Sequence, residues 1–244
     1  MNFLGLTRYV VSCFNKLIDY VLPHRCISCR ELTRDEAGLC SGCFMKLNFI
    51  ANPYCMKCGT PFEFEIKSKI FCGKCLLNPP EYDLARALLK FDFHSKQLIH
   101  NFKYNDSTVS AGLFAKLLVA RYQDDFKDVD IIVPVPMHRI KRILRHYNPA
   151  QILANELGKK LNIPVLYDLL IKVRWTKAQT TLTKKERETN LRGSIKCSAD
   201  YNLSGKKILL VDDMRTTGAT SDNCIKALKK RNAAQIKLVT IGIT

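Results

Sequence analysis

Residues 208–220, ILLVDDMRTTGAT, run from four aliphatic residues into two adjacent aspartates, then into small hydroxyl residues around one glycine. The aliphatic run reads as a strand buried on both faces of a parallel sheet. In such sheets ligands sit at the carboxyl ends of strands, where the chain turns into the next helix. Gly218 and its flanking threonines let backbone N–H groups converge at a helix N-terminus, which suits a phosphate; Thr216, Thr217 and Thr220 add hydroxyl donors. Asp212 and Asp213 would repel that phosphate, so they must face another part of the same ligand. Carboxylates pair well with the vicinal hydroxyls of a ribose. A phosphate cradle and a diol clamp a few residues apart match a ribose 5-phosphate.

The sequence on either side has the same texture. ARALLKFDF (85–93) reads as a strand, STVSAGLFAKLLVARYQDDF (107–126) has helical spacing, and VDIIVPVP (129–136) is a buried strand ended by prolines. NPAQILANELGKKLN (148–162) is a helix opened by Asn148 and Pro149. IPVLYDLLIKV (163–173) supplies strand material, GATSDNCIKALKKRN (218–232) a helix, and IKLVTIGIT (236–244) a final strand. Strands separated by helices of this length predict an α/β domain over residues 81–244 with a parallel sheet covered on both faces.

Residues 24–80 are of another kind. Eight of the eleven cysteines form four CxxC pairs: Cys26 and Cys29, Cys40 and Cys43, Cys55 and Cys58, Cys72 and Cys75. Two thiolates three residues apart on a tight turn can bite one tetrahedral ion, and two such knuckles close a four-cysteine zinc site. Sequential pairing predicts two sites, Cys26/Cys29/Cys40/Cys43 and Cys55/Cys58/Cys72/Cys75. A cross-braced pairing, an iron–sulfur cluster and redox-active CxxC pairs are the alternatives. With few large apolar side chains, the segment needs metal in place of a core. Cys13, Cys197 and Cys224 stand alone and read as small buried hydrophobes.

In residues 1–23, Phe3, Leu6, Val10, Phe14, Leu17 and Val21 recur at spacings of three and four, an amphipathic helix ended by Pro23. It suits docking on the protein's own core, a partner or a membrane surface. Arg8, Asn15, Lys16 and Asp19 interrupt it, so it makes neither a membrane span nor a signal peptide, and a cytoplasmic location is expected. The formal charge of +17 points to anionic partners: nucleic acid, phosphorylated metabolites or anionic lipid. Residues 138–193 hold 13 basic and 4 acidic side chains, a concentration that favours a binding face. The same segment carries His146, Tyr147, Tyr167 and Trp175, which can stack on bases. Arg142, Arg145, Tyr147 and Trp175 are therefore nucleic-acid candidates for single-stranded DNA.

ILLVDDMRTTGAT resembles the phosphoribosyl-pyrophosphate (PRPP) signature of type I phosphoribosyltransferases. Over nearly its full length the chain resembles the ComF/ComFC family of competence proteins, in which a double zinc ribbon precedes a phosphoribosyltransferase domain. LPHRCISC (22–29) is similar to the family's opening knuckle, and LIHNFKYN (98–105) to its lysine–aromatic stretch. VPVPMHRIKRILRHYNPAQILANEL (133–157) is similar to its proline-flanked strand, basic loop and helix. TKAQTTLTKKERETNLRG (176–193) matches its pattern at Thr176, Gln179, Leu182, Arg187 and Asn190. The resemblance implies that Asp212 and Asp213 bind the ribose hydroxyls, directly or through Mg²⁺. It implies that Thr216, Thr217, Gly218, Ala219 and Thr220 hold the 5-phosphate and that His138 and Arg139 approach the pyrophosphate. Residues 174–192, with Thr176, Gln179, Arg187 and Asn190, would form a hood over the site. At RHYNP (145–149) the chain departs from the family's Arg-Gly-aromatic-Asn-Gln stretch, losing a glycine's freedom and an amide. Arg215, inside the phosphate loop, is either an added anion contact or a solvated side chain.

The expected role is in DNA uptake and natural transformation, with PRPP and single-stranded DNA as ligands, zinc and magnesium as metals, and the uptake machinery as partner. The alternative is an active phosphoribosyltransferase, transferring the pentosyl group to an acceptor that the sequence does not identify. That chemistry needs positioning and charge neutralisation more than a fixed base. No catalytic residue is assigned. A glutamine amidophosphoribosyltransferase, which uses an N-terminal cysteine, is not expected of a chain that opens Met1-Asn2.

Overall fold

The apolar run that ends in Asp212 and Asp213 is an inner strand of a four-stranded parallel sheet. The computed structural model describes residues 25–33, 38–64, 70–104, 107–137, 147–173 and 193–244. The chain divides into two compact units, residues 1–47 and 48–244.

In the first unit, Cys26–Arg30 form a turn in which Arg30 N–H donates to the Cys26 carbonyl at 2.9 Å and Arg30 takes φ +67°. Residues 25 and 32 pair in an antiparallel bridge across that turn. Helix α1 (Ser41–Met45) follows, with the Cys40 sulfur accepting from Cys43 N–H at its start. Among the described residues of this unit, Cys26, Ile27, Leu39 and Leu47 are the buried hydrophobic side chains.

The second unit opens with the same design. Gly59 N–H donates to the Cys55 carbonyl at 2.8 Å, Gly59 has φ +71°, residues 54 and 61 bridge, and α2 (Gly73–Leu77) follows. The sheet comes next: β1 (Leu84–Lys90), α3 (Phe93–Tyr104), α4 (Ser107–Phe126), β2 (Ile131–Pro134), α5 (Pro149–Leu161), a small antiparallel pair β3 (Leu170–Lys172) and β4 (Ile195–Cys197), β5 (Lys207–Arg215), α6 (Ala219–Lys229) and β6 (Gln235–Ile243). Strand order is β1-β6-β5-β2, all parallel. The alternation along each strand divides the core. Ile208, Leu210, Ile236 and Leu238 face a cluster that contains Cys224, Ile225 and Leu228 of α6, Leu170 and Ile195 of the small pair, and Cys55, Cys58 and Cys75. Leu209, Val211 and Val239 are equally buried, and α5 packs on β2 and β5 while α4 packs on β1. The second knuckle is therefore part of the sheet's own core.

Backbone bonding says the same. Residues 48–50 run antiparallel along the outer edge of β1, with Lys90 N–H to Asn48 O at 2.9 Å and Ile50 N–H to Leu88 O at 3.0 Å. Further along β1, Ala85 N–H donates to Lys57 O at 2.7 Å and the Arg86 guanidinium to Met56 O at 3.1 Å. An edge strand's unpaired groups are thus covered by the knuckle's own chain. A Cβ at Gly59 would lie 2.6 Å from the Ala85 carbonyl oxygen, which explains glycine where the first repeat carries Arg30. The buried cations near the amino ends of β1 and β6 are paired: Arg86 with Asp125 at 2.6 Å, and Lys237 with Asp128 and with the Asp125 carbonyl. The Asp128 carboxyl is held below its ordinary range by the Lys237 hydrogen bond, with Lys207 adding to it at 3.2 Å.

The expected strands and helices of the second unit are present, with three differences. The strand read over ARALLKFDF stops at Lys90, and Phe93 already opens a helix, because Asp92 and Ser95 cap it reciprocally at 2.8 and 2.7 Å. The lysine–aromatic stretch LIHNFKYN lies on that helix as far as Tyr104. The material of IPVLYDLLIKV yields a single parallel bridge, Val165 to Ile132, and the short β3. Cys224 is buried and Cys197 half-buried, while Cys13 and the amphipathic helix of residues 1–23 lie outside the described residues.

Candidate functional site

Two four-cysteine clusters and one carboxylate–loop site emerge. In each cluster the four sulfurs lie within 4.8 Å of one another. A tetrahedron with Zn–S bonds of about 2.3 Å has sulfur–sulfur edges of about 3.8 Å. The observed separations of 3.8 Å for Cys29 and Cys40 and 3.6 Å for Cys58 and Cys72 fit that figure and are far too long for disulfides. Backbone N–H groups brace the sulfurs in matching positions, Cys40 N–H to Cys26 Sγ at 3.4 Å and Cys72 N–H to Cys55 Sγ at 3.2 Å. The pairing is sequential; the cross-braced alternative is excluded. The residues present fit two zinc ions, and a bound ion would supply rigid tetrahedral cross-links.

The carboxylate site is built at the end of β5. Four buried residues, Ile208–Val211, are followed by the half-buried Asp212 and Asp213, then Arg215 at the strand's last position. Asp213 N–H donates to the Asp212 carboxylate at 2.9 Å. Lys103, from α3, reaches the Asp213 carboxylate at 3.1 Å, both side chains being mostly covered. Burial, then the adjacent Asp213 charge, push the Asp212 carboxyl well above its ordinary range. One carboxylate is neutralised by a lysine and its neighbour is left short of positive charge, so the pair is arranged to receive a cation or hydroxyl donors. Lys103 did not figure among the expected site residues. Its signal was the family stretch LIHNFKYN, whose lysine could be placed only once α3 was seen to pack beside the carboxyl end of β6.

Beyond Arg215 the chain turns through Thr216 and Thr217 to Gly218, which has φ +81° and stands at the N-cap of α6. No side chain caps this helix. Thr217 Oγ1 lies 3.5 Å from Ala219 N, and Ser221 donates back to the Gly218 carbonyl at 2.8 Å. Thr216 is exposed, Thr217, Gly218 and Thr220 are half-buried and Ala219 is buried. Asp222, in the first turn, has its carboxyl raised by burial. Arg215 takes neither course expected of it. Its guanidinium donates to the Tyr82 hydroxyl at 2.7 Å and to the Cys58 carbonyl. It thereby spans a cleft of about 330 Å³ whose walls include Cys58, Thr60 and Cys75 on one side and Arg215–Gly218 on the other.

A second, open groove of about 1300 Å³ runs along α6 and past β4. Lys196, Lys226, Lys229, Lys230 and Arg231 line it, against Glu81 and Asp222, and Thr217 stands at its margin. Arg231 is tied to the Ala199 and Tyr201 carbonyls, and Lys226 stands 3.9 Å from Glu81. Lys196, Lys229 and Lys230 form no ion pair among the described residues. The expected basic face at residues 138–193 is described only in part: His138, Arg139, Arg142, Arg145, Trp175 and the hood residues Thr176, Gln179, Arg187 and Asn190 lie outside the described residues. Tyr147 is half-buried and donates its hydroxyl to the Phe102 carbonyl at 3.1 Å.

Comparison with known proteins agrees with this architecture. A double zinc ribbon domain model matches residues 17–76, and a phosphoribosyl transferase domain model matches residues 146–241. Competence protein F of Haemophilus influenzae is 30% identical over 221 residues, covering 88% of this chain and 94% of that protein. The DNA utilization protein YhgH of Escherichia coli K12 is 26% identical, with 89% of this chain and 96% of that protein covered. Competence protein ComFC of Bacillus subtilis is 23% identical over 86% of each chain. The parallel sheet and its helices within the second unit are those of a phosphoribosyltransferase domain, with the second ribbon in front of it.

Proposed function

The chain belongs to the competence protein F family, and on that premise we propose that it supports DNA uptake in the cytoplasm, holding PRPP in its phosphoribosyltransferase pocket and single-stranded DNA on its basic surface. The observation that carries the reading is the adjacency of the Asp212–Asp213 pair and the uncapped, glycine-opened N-terminus of α6, five residues apart on one strand–loop–helix. Carboxylates and an anion cradle this close serve a ligand that carries hydroxyls at one end and phosphate at the other. Asp212 and Asp213 would take the ribose hydroxyls, or a Mg²⁺ that neutralises the pyrophosphate. Thr216, Thr217, Gly218, Ala219 and Thr220 would take the 5-phosphate, His138 and Arg139 the pyrophosphate, and Thr176, Gln179, Arg187 and Asn190 the closing hood. For DNA, the groove of Lys196, Lys226, Lys229, Lys230 and Arg231 supplies a basic strip in addition to the candidates read in the sequence at Arg142, Arg145, Tyr147 and Trp175. Among the described residues no helix is long and apolar enough to cross a membrane.

Calorimetry of one sample with Mg²⁺·PRPP and with oligothymidine tests both halves. Saturable PRPP binding, abolished by Asp212→Ala with Asp213→Ala in a folded protein, is the expected result. Equal binding by the double variant sinks the pocket assignment. An assay of pyrophosphate release with candidate bases separates ligand binding from turnover: release on addition of one base would make this an active transferase.

A further inference from the structure

We propose that Arg215 is a positioning residue that couples the second metal knuckle to the phosphate loop, so that zinc at Cys55/Cys58/Cys72/Cys75 sets the affinity for PRPP. The inference rests on the PRPP reading above and goes beyond it in assigning the control of that site to the metal cluster.

Among the described residues, the loop meets the sheet on one side and a cleft on the other. On the sheet side its first residue is fixed by the backbone, with Thr244 N–H donating to the Arg215 carbonyl at 3.2 Å. On the other side lies the 330 Å³ cleft, a gap in the packing beneath Thr216, Thr217 and Gly218. The Arg215 side chain crosses it. Two nitrogens of the guanidinium are committed, one to the Tyr82 hydroxyl and one to the Cys58 carbonyl, and its carbon stands 5.9 Å from the Tyr82 ring centroid. Tyr82 is itself buried, so this anchor is a fixed wall.

The anchor on the knuckle is a metal ligand's own backbone. Cys58 closes the Cys55–Cys58 turn, whose Gly59 lies against the Ala85 carbonyl of β1 with no room for a Cβ. Cys58 Sγ stands 3.6 Å from Cys72 Sγ, in a cluster of four sulfurs that a dication would hold together as one cross-link. With the ion in place, the Cys58 carbonyl is a rigid acceptor. Without it, the turn keeps its backbone bonds to β1 but loses its cross-link to Cys72 and Cys75, so the Cys58 carbonyl is a looser acceptor for Arg215 and the loop is held less firmly across the cleft. A loop that must order itself on binding lowers the apparent affinity for its ligand. The coupling is a free energy and therefore reciprocal: whatever zinc contributes to PRPP affinity, PRPP returns to zinc affinity.

The test uses the full chain loaded with zinc. Arg215→Ala weakens Mg²⁺·PRPP by about tenfold, within the usual range of such couplings. Tyr82→Phe, which removes a single hydroxyl, weakens it severalfold, and Arg215→Lys, keeping the charge without the two-pronged donor, falls between parent and alanine. All three should retain two zinc ions and an unchanged circular dichroism spectrum. The decisive readout is equilibrium competition with a chromogenic zinc chelator in excess Mg²⁺. In the parent, saturating PRPP makes one of the two zinc ions harder to remove and leaves the other unaffected; in Arg215→Ala that protection is lost. Protection of neither ion, or undiminished protection in Arg215→Ala, overturns the coupling while leaving PRPP binding standing. Failure of the parent to bind PRPP overturns the pocket reading and this inference together.

Discussion

At the scale of single residues, Asp212 carries a burial cost. It sits at the end of four buried aliphatic residues, next to another carboxylate, and among the described residues the ion pair with Lys103 goes to Asp213. Its carboxyl is raised by burial and by the Asp213 charge, whereas an unfolded aspartate titrates near about 3.9. The folded state thus keeps a proton that the unfolded state has lost. That preference stabilises the fold fully below the unfolded value and is lost as pH rises through the folded value, leaving a charge-burial cost at neutral pH. Asp212→Asn removes this cost. It should raise the Tm of the ligand-free protein at neutral pH, about 1 kcal/mol corresponding to about 2–4 °C in a chain of this size. The gain should shrink as pH falls and the parent takes up its proton. Calorimetric scans of both proteins from acid to neutral pH check the sign; an unchanged or lowered Tm throughout refutes it. The substitution should also abolish PRPP binding, so that one position trades stability for function.

Among elements, the two knuckles share a design and differ in what they pack against. The CxxC spacing made metal clusters legible, because two thiolates three residues apart can bite one ion, but it left the pairing open until the sulfurs were seen to gather sequentially. It could not show that Cys55, Cys58 and Cys75 join the core of the sheet. That depends on Ala85 N–H meeting Lys57 O and Ile50 N–H meeting Leu88 O, backbone bonds to which side chains contribute no pattern. The strand ending in Asp212 was legible because its apolar run is long and its end is chemically abrupt. The Lys103–Asp213 pair was not, since residues 110 positions apart meet only through the packing of α3. β4 and its pairing with β3 escaped notice for a similar reason: at three residues it is too short for an alternation to register. Glycine marks where the repeat touches the sheet. Gly59→Ala puts a methyl 2.6 Å from a backbone oxygen at φ +71°, a strain of about 1–3 kcal/mol or more, and should lower Tm by several degrees. Gly73→Ala, which meets nothing within 4 Å in the same knuckle, should not. Thermal unfolding of the two variants side by side decides it. Equal Tm values would show that the knuckle is not part of the cooperative unit.

For the whole molecule the dominant quantity is charge, +17 over 244 residues. The buried cations Arg86 and Lys237 are spent on internal pairs with Asp125 and Asp128. The lysines at the end of α6 are not. Lys229 and Lys230 line the open groove without an ion pair among the described residues, at the helix end where positive charge is favoured, and Lys196 faces them from β4. A surface strip of this kind tracks a phosphate backbone by releasing its counterions, and affinity then falls with salt by a log–log slope of roughly −0.7 per contact for single strands. Replacing Lys229 and Lys230 by alanine should therefore flatten the slope for labelled oligothymidine by about 1.4, if each meets one phosphate. Fluorescence anisotropy over a salt series measures it. Because neither lysine belongs to the carboxylate site or the phosphate loop, the variant should bind Mg²⁺·PRPP as the parent does. An unchanged slope would remove the groove from the DNA path and leave the basic stretch around Arg142 and Arg145 to carry it. A slope that flattens together with lost PRPP binding would mean that one surface serves both anions. Competition of PRPP against DNA on the parent protein would then show mutual displacement, whereas two separate surfaces permit both ligands at once.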